Sequence, residues 1–183
     1  MAEEIKNRVA ESKLVVIDLE DYYQEGERTL LDISPWLVEG IILVEKQFRD
    51  AINTFDWSVY ENKYVALYCK TDAIIPSWAF NLVAAQLNGI SKKTIVGDLK
   101  LLETIIYEEV LSSVNFDFVM AKPVIIKGCS NKPVPETAYI SLANKIQDAG
   151  IKEVLVHSPL GCKSKYGISQ KSYGVSMASG RPV

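Results

Sequence analysis

A strand, a cysteine, a polar loop, a proline and an Ala-bearing helix follow one another twice in this chain, and that order constrains the fold more than any other feature. The first copy runs Tyr64-Val-Ala-Leu-Tyr-Cys69, then Pro76-Ser-Trp-Ala-Phe80, then Leu82-Val-Ala-Ala. The second runs Pro123-Val-Ile-Ile-Lys-Gly-Cys129, then Pro135-Glu-Thr-Ala-Tyr139, then Leu142-Ala. A proline at the first helical turn loses no hydrogen bond, so each copy reads as strand, loop and helix. In a parallel βαβ arrangement the loops leaving the carboxyl ends of strands line one crevice. Cys69 and Cys129 are therefore expected on one edge of a sheet, and Cys162, after the final strand, is expected to join them.

The remaining pattern extends this architecture. Leu14–Asp18 and Thr29–Ile33 are short β-type runs separated by polar residues including Gly26, which reads as an antiparallel N-terminal hairpin. Ser34-Pro35-Trp36 supplies a helix start, and Leu37, Ile41, Val44, Phe48, Ile52 and Phe55 recur at helical spacing. Pro76 to about Leu87 forms a helix ended by Asn88-Gly89, and Thr94–Asp98 is the next strand. A helix with Leu99, Leu102, Ile106 and Val110 on its apolar stripe comes next, its wet face carrying Glu103, Glu108 and Glu109. Lys122–Gly128, the helix Pro135–Ala149 and the strand Glu153–His157 complete the set. Such alternation predicts an α/β fold, a mainly parallel sheet covered by helices with the hairpin at its edge. A chain of 183 residues, 48% hydrophobic, suits one domain, placed here at residues 1–162. From Lys163 to Val183 the sequence is rich in Ser and Gly without apolar period, and no regular structure is expected.

Charge and composition remove several function classes. A net charge of −3 with scattered Lys and Arg argues against a nucleic-acid partner. No apolar run reaches spanning length and the first residues hold no apolar signal core, so no membrane partner and a cytoplasmic location are expected. In that reducing compartment the odd number of cysteines, 3, makes a disulfide framework an unsuitable reading. The thiols are then free, metal-bound or transiently oxidised. One histidine and no Gly-x-Ser-x-Gly elbow leave no Ser-His-Asp set, and no Gly-x-Gly-x-x-Gly or Walker loop supports nucleotide binding.

The segments Asp18-Leu-Glu-Asp-Tyr-Tyr23, Glu25-Gly-Glu-Arg28, Ala66-Leu-Tyr-Cys69 and Asp72-Ala-Ile-Ile-Pro76 form a recognisable series with Trp78-Ala79, Gly97-Asp-Leu99, Lys127-Gly-Cys-Ser130 and Lys132-Pro-Val-Pro135. Together they resemble the bacterial domain of unknown function 2480 over roughly residues 3 to 162. The resemblance implies family membership and no particular activity. The family pattern closes with a Cys-Ser segment and a brief basic end. Ser158-Pro-Leu-Gly-Cys162-Lys-Ser164 keeps a cysteine near that place, and the residues after Ser164 depart from the pattern.

Three chemistries remain open for the cysteines. Soft thiolates of Cys69, Cys129 and Cys162, with His157 as a fourth ligand, suit Zn²⁺ or an iron–sulfur cluster, although no Cys-x-x-Cys pair is present. Alternatively, Cys69 beside Lys70, and both Cys69 and Cys129 ahead of helix N-termini, suit thiol or persulfide exchange. Asp72, Asp98 and Ser130, with Lys70, would then bind a small-molecule ligand or serve as acid and base on the same edge. Asp72 also fits a turn or helix cap. The third reading makes the cysteines simple packing residues of a non-enzymatic module with a protein partner, because free Cys is among the most buried residue types. Asp18, Glu20, Asp21, Glu25 and Glu27 form an acidic stretch without the spacing of a calcium loop, and it reads as solvated.

Overall fold

The computed structural model describes residues 14–119, 122–128, 131–148 and 154–156, the last as backbone alone. In chain order the strands are Val15–Asp18 (β1), Arg28–Asp32 (β2), Tyr64–Tyr68 (β3), Lys93–Val96 (β4), Val124–Lys127 (β5) and Val154–Val156 (β6). The α-helices are Glu45–Thr54 (α1), Ser77–Leu87 (α2), Leu99–Ser113 (α3) and Glu136–Asp148 (α4). Two compact units result: Gln24–Ile105 forms one, and the described residues up to Tyr23 and from Ile106 onward form the other.

Each unit carries a parallel sheet of three strands, in the orders β2-β3-β4 and β1-β5-β6. Parallel neighbours require a crossover, and the helical segments between strands supply it. The central strand β3 is buried from Tyr64 to Leu67, as expected of a strand covered on both faces. On one face Leu31, Val65 and Leu67 pack with Phe48 and Ile52 of α1 and Ala79, Val83 and Leu87 of α2. Trp36, Phe55 and Trp57 close the end of this core with edge-on and tilted ring contacts. In the other unit Ile17, Val124 and Ile126 meet Tyr107 and Leu111 of α3 and Ala138, Leu142 and Ile146 of α4.

The parallel α/β character agrees with the sequence pattern, whereas the N-terminal hairpin does not form. β1 pairs with β5 and β2 with β3, both parallel, and they belong to different sheets. The reason is local. After β1 the Asp18 side chain accepts the Glu20 N–H and starts a 3-10 turn over Leu19–Tyr22, which buries Leu19 completely. The chain is thereby committed to the core of its own unit, and the polar stretch from Tyr23 to Glu27 becomes a connection rather than a tight turn.

A second departure lies between Ser34 and Val44. Ser34–Trp36 makes only a 3-10 turn, and α1 does not begin until Glu45. Glu39 at φ 53° and Gly40 at φ 73° adopt left-handed backbone, which a helix interior forbids and which suits a reversing turn. Val38 and Ile42 then bridge across it, with the Val38 N–H donating to the Ile42 carbonyl at 2.8 Å. Of the expected apolar stripe, Leu37, Phe48 and Ile52 are buried, whereas Ile41 and Val44 face solvent.

Helix α3 forms where expected and buries Leu102 and Ile106 of the expected stripe, but its buried face is wider than that stripe. Its buried positions are Leu102, Glu103, Ile106, Tyr107 and Leu111, so Glu103 is not on the wet face. Its carboxylate takes both Arg28 Nε at 2.8 Å and Arg28 Nη2 at 3.0 Å, while Nη1 donates to the Gly26 carbonyl at 2.6 Å. The guanidinium also lies 4.8 Å from the centre of the Tyr64 ring. Among the described residues no helix is long and apolar enough to cross a membrane.

Candidate functional site

The carboxyl ends of β2, β3 and β4 gather several of the residues that the sequence singles out. Cys69 directly follows β3 and packs, half-buried, against the apolar core of its unit. Its Sγ lies 3.3 Å from Thr71 Oγ1, and that hydroxyl donates its single hydrogen to the Gly40 carbonyl at 2.5 Å. With the Thr71 hydrogen committed, the Cys69 S–H is the donor in the first contact. The thiol thus ends a hydrogen-bond chain that ties the loop after β3 to the turn at Gly40.

Lys70 is exposed and takes part through its backbone: its N–H donates to Asp32 Oδ1 at 3.0 Å. Asp32, at the end of β2, also accepts from the Ser34 N–H at 2.9 Å and from Ser34 Oγ at 2.7 Å. Burial by itself would raise the Asp32 pKa, but the Ser34 and Lys70 donors and the Lys70 charge outweigh it and hold the carboxyl below its ordinary range. Asp72 is exposed in the loop before α2, whose N-cap position is Pro76 and not Asp72. Asp98 accepts the Leu101 N–H at 2.7 Å and its carbonyl accepts the Leu102 N–H at 3.0 Å, so it caps α3.

The carboxyl end of β1 and β5 in the other unit has its own polar group. Asp18 and Lys127 are register partners, and their side chains form an ion pair at 2.9 Å. The Asp18 pKa is lowered although burial opposes this, because Lys127 and the Glu20 N–H stabilise the carboxylate. Lys127 is raised in turn by Asp18. Glu20 receives the Asn131 N–H at 2.9 Å and so fastens the loop before α4 over the end of β1. The acidic stretch is therefore not simply solvated at Asp18 and Glu20.

Tyr139, on α4, points its hydroxyl to this end, where a Cβ added at Gly128 would lie 3.2 Å from it and 3.0 Å from Leu19 Cβ. A side chain at that position would press its neighbours apart by a few tenths of an ångström, so glycine suits the close approach. The Tyr139 hydroxyl is buried and has no hydrogen-bond partner among the described residues. Burial, with the charges of Asp18 and Glu20 adding to it, pushes its pKa up to about 12.

Cys129, Ser130, His157 and Cys162 lie outside the described residues. Among the described residues no group of three or more His, Cys, Asp or Glu is placed to hold a metal ion. The sequence pointed to Cys69, Lys70, Asp72 and Asp98. It did not point to Asp32, Thr71, Lys127 and Tyr139, which make contacts to or across the strand ends. For Asp32 the Asp-x-Ser spacing was an available signal, since such side chains accept from the backbone two residues on. Thr71 and Tyr139 offered none, because the Gly40 carbonyl that Thr71 reaches and the end of β1 toward which Tyr139 points are remote in sequence.

The profile of the family described as protein of unknown function (DUF2480) matches residues 3–159. The chain belongs to that family. A separate, short likeness is to the DNA-directed RNA polymerase subunit beta'. The subunit of Finegoldia magna is 51% identical over 43 residues, 24% of this chain and 4% of the polymerase subunit. That of Caldicellulosiruptor saccharolyticus is 50% identical over 42 residues, 23% of this chain and 4% of the subunit. In Clostridium kluyveri the identity is 38% over 52 residues, 27% of this chain and again 4% of the subunit. The chain thus spans about 4% of the length of these curated relatives. No solved structure matches the chain significantly.

Proposed function

We propose that this protein is a non-enzymatic interaction module in which Cys69 is a structural residue and an apolar surface beside it receives a protein partner. One observation carries the reading: the hydrogen bond between Thr71 and the Gly40 carbonyl joins two segments that both expose aliphatic side chains. Ile41, Ile42 and Val44 stand out from the first, and Ile74, 96% exposed, from the second. Exposed large aliphatics gathered on built loops mark interaction surfaces more often than catalytic ones.

The alternative roles of the same edge are served less well. The Cys69 thiol donates to Thr71, Asp98 caps α3, and Asp32 is occupied by three donors, so these groups already have structural work. A Zn²⁺ or iron–sulfur centre would have to draw on Cys129, Cys162 and His157 together with Cys69. The likeness to the polymerase subunits extends over only 42 to 52 residues and lends no support to polymerase activity. On the same reading the two units are variants of one strand–loop–Pro–helix–strand repeat. Supporting this, Asp18 and Asp32 each end a strand and each accept the N–H two residues on.

The test has a metal arm and a surface arm. Protein purified without oxygen is expected to be free of stoichiometric zinc and iron, and Cys69→Ala is expected to stay folded. Near-stoichiometric metal lost in Cys69→Ser would overturn the structural role of the thiol. In the surface arm, proteins retained from the native host by wild type are compared with those retained by the Ile42→Glu/Ile74→Glu double variant. A specific partner lost in the folded variant is expected, and identical retention would overturn the surface.

A further inference from the structure

We draw no further inference here: the strongest candidate, the acidic cluster of Asp18, Glu20 and Asp21 with the Lys127 ion pair and the buried Tyr139 hydroxyl at the carboxyl end of β1 and β5, carries nothing because no second observation among the described residues points to a ligand that would reach it.

Discussion

Arg28 and Glu103 form the most deeply buried ion pair among the described residues. Both side chains are nearly closed to solvent, at 8% and 3% exposure, and the bidentate geometry satisfies the carboxylate from a guanidinium that also bonds the Gly26 carbonyl. Removing one partner strands a buried charge, which costs about 3–5 kcal/mol. Glu103→Ala and Arg28→Ala are therefore each expected to lower the urea midpoint strongly, with the double variant less destabilised than the sum of the two. Additive losses would show that the pair is not coupled. Two tyrosine hydroxyls give a contrasting expectation. Tyr107 donates to the Leu19 carbonyl at 3.3 Å, so Tyr107→Phe should lose about 1 kcal/mol. The Tyr139 hydroxyl has no such bond among the described residues, so Tyr139→Phe should be close to neutral at pH 7.

Titration supplies an independent check on Tyr139. Its pKa is raised from 10.0 to about 12, so the fold holds the phenol proton more tightly than the unfolded chain does. The resulting stability is present in full below pH 10 and is lost as pH rises through about 12. Stability measured across that interval should fall less steeply in Tyr139→Phe than in wild type. Equal slopes would remove the burial argument.

At the scale of elements, helix α3 illustrates how a local signal and a remote one act on the same segment. Asp98 caps its first turn through the Leu101 N–H, and helix N-caps of this kind contribute about 1 kcal/mol. Asp98→Ala is expected to destabilise by about that amount and Asp98→Asn to restore most of it, measured by chemical denaturation. Loss of function without loss of stability in Asp98→Ala would instead reveal a role beyond capping. The other end is closed by Lys145 of α4, whose Nζ donates to the carbonyls of Leu111 and Ser112 at 2.5 and 2.8 Å. A cation at a helix C-terminus also complements the dipole. The segment before α1 shows the opposite outcome. Its apolar residues have helical spacing, but the left-handed turn at Glu39 and Gly40 interrupts it and leaves Ile41, Ile42 and Val44 on the surface.

For the whole molecule, the important fact is that each unit has its own core and its own parallel sheet. Among the described residues, the side chains of those cores lie between Val15 and Ile146. Deleting Lys163 to Val183 removes none of them. The melting temperature of the truncated chain is accordingly expected to stay within about 4 °C of the full one, a shift that for a domain of this size corresponds to at least 1 kcal/mol. A larger fall, seen by thermal unfolding, would place part of the stabilising contacts in that segment.

Much of this architecture was legible from period and punctuation. The apolar run of β3, the proline before each of α2 and α4, and the stripe through Leu102 and Ile106 are local properties, and they produced elements near the expected places. The sequence by itself also determined family membership, through ordered motifs across residues 3–159. Strand pairing was not written locally. Tyr22 to Glu27 has hairpin composition, but whether β1 and β2 pair depends on which neighbour buries more surface, and β5 and β3 prevailed. Likewise Glu103 reads as a surface charge until Arg28, remote in the chain, is brought against it. Only the tertiary structure decided that Cys69 donates to Thr71 while Thr71 binds Gly40, because hydrogen-bond direction depends on partners that no local pattern identifies.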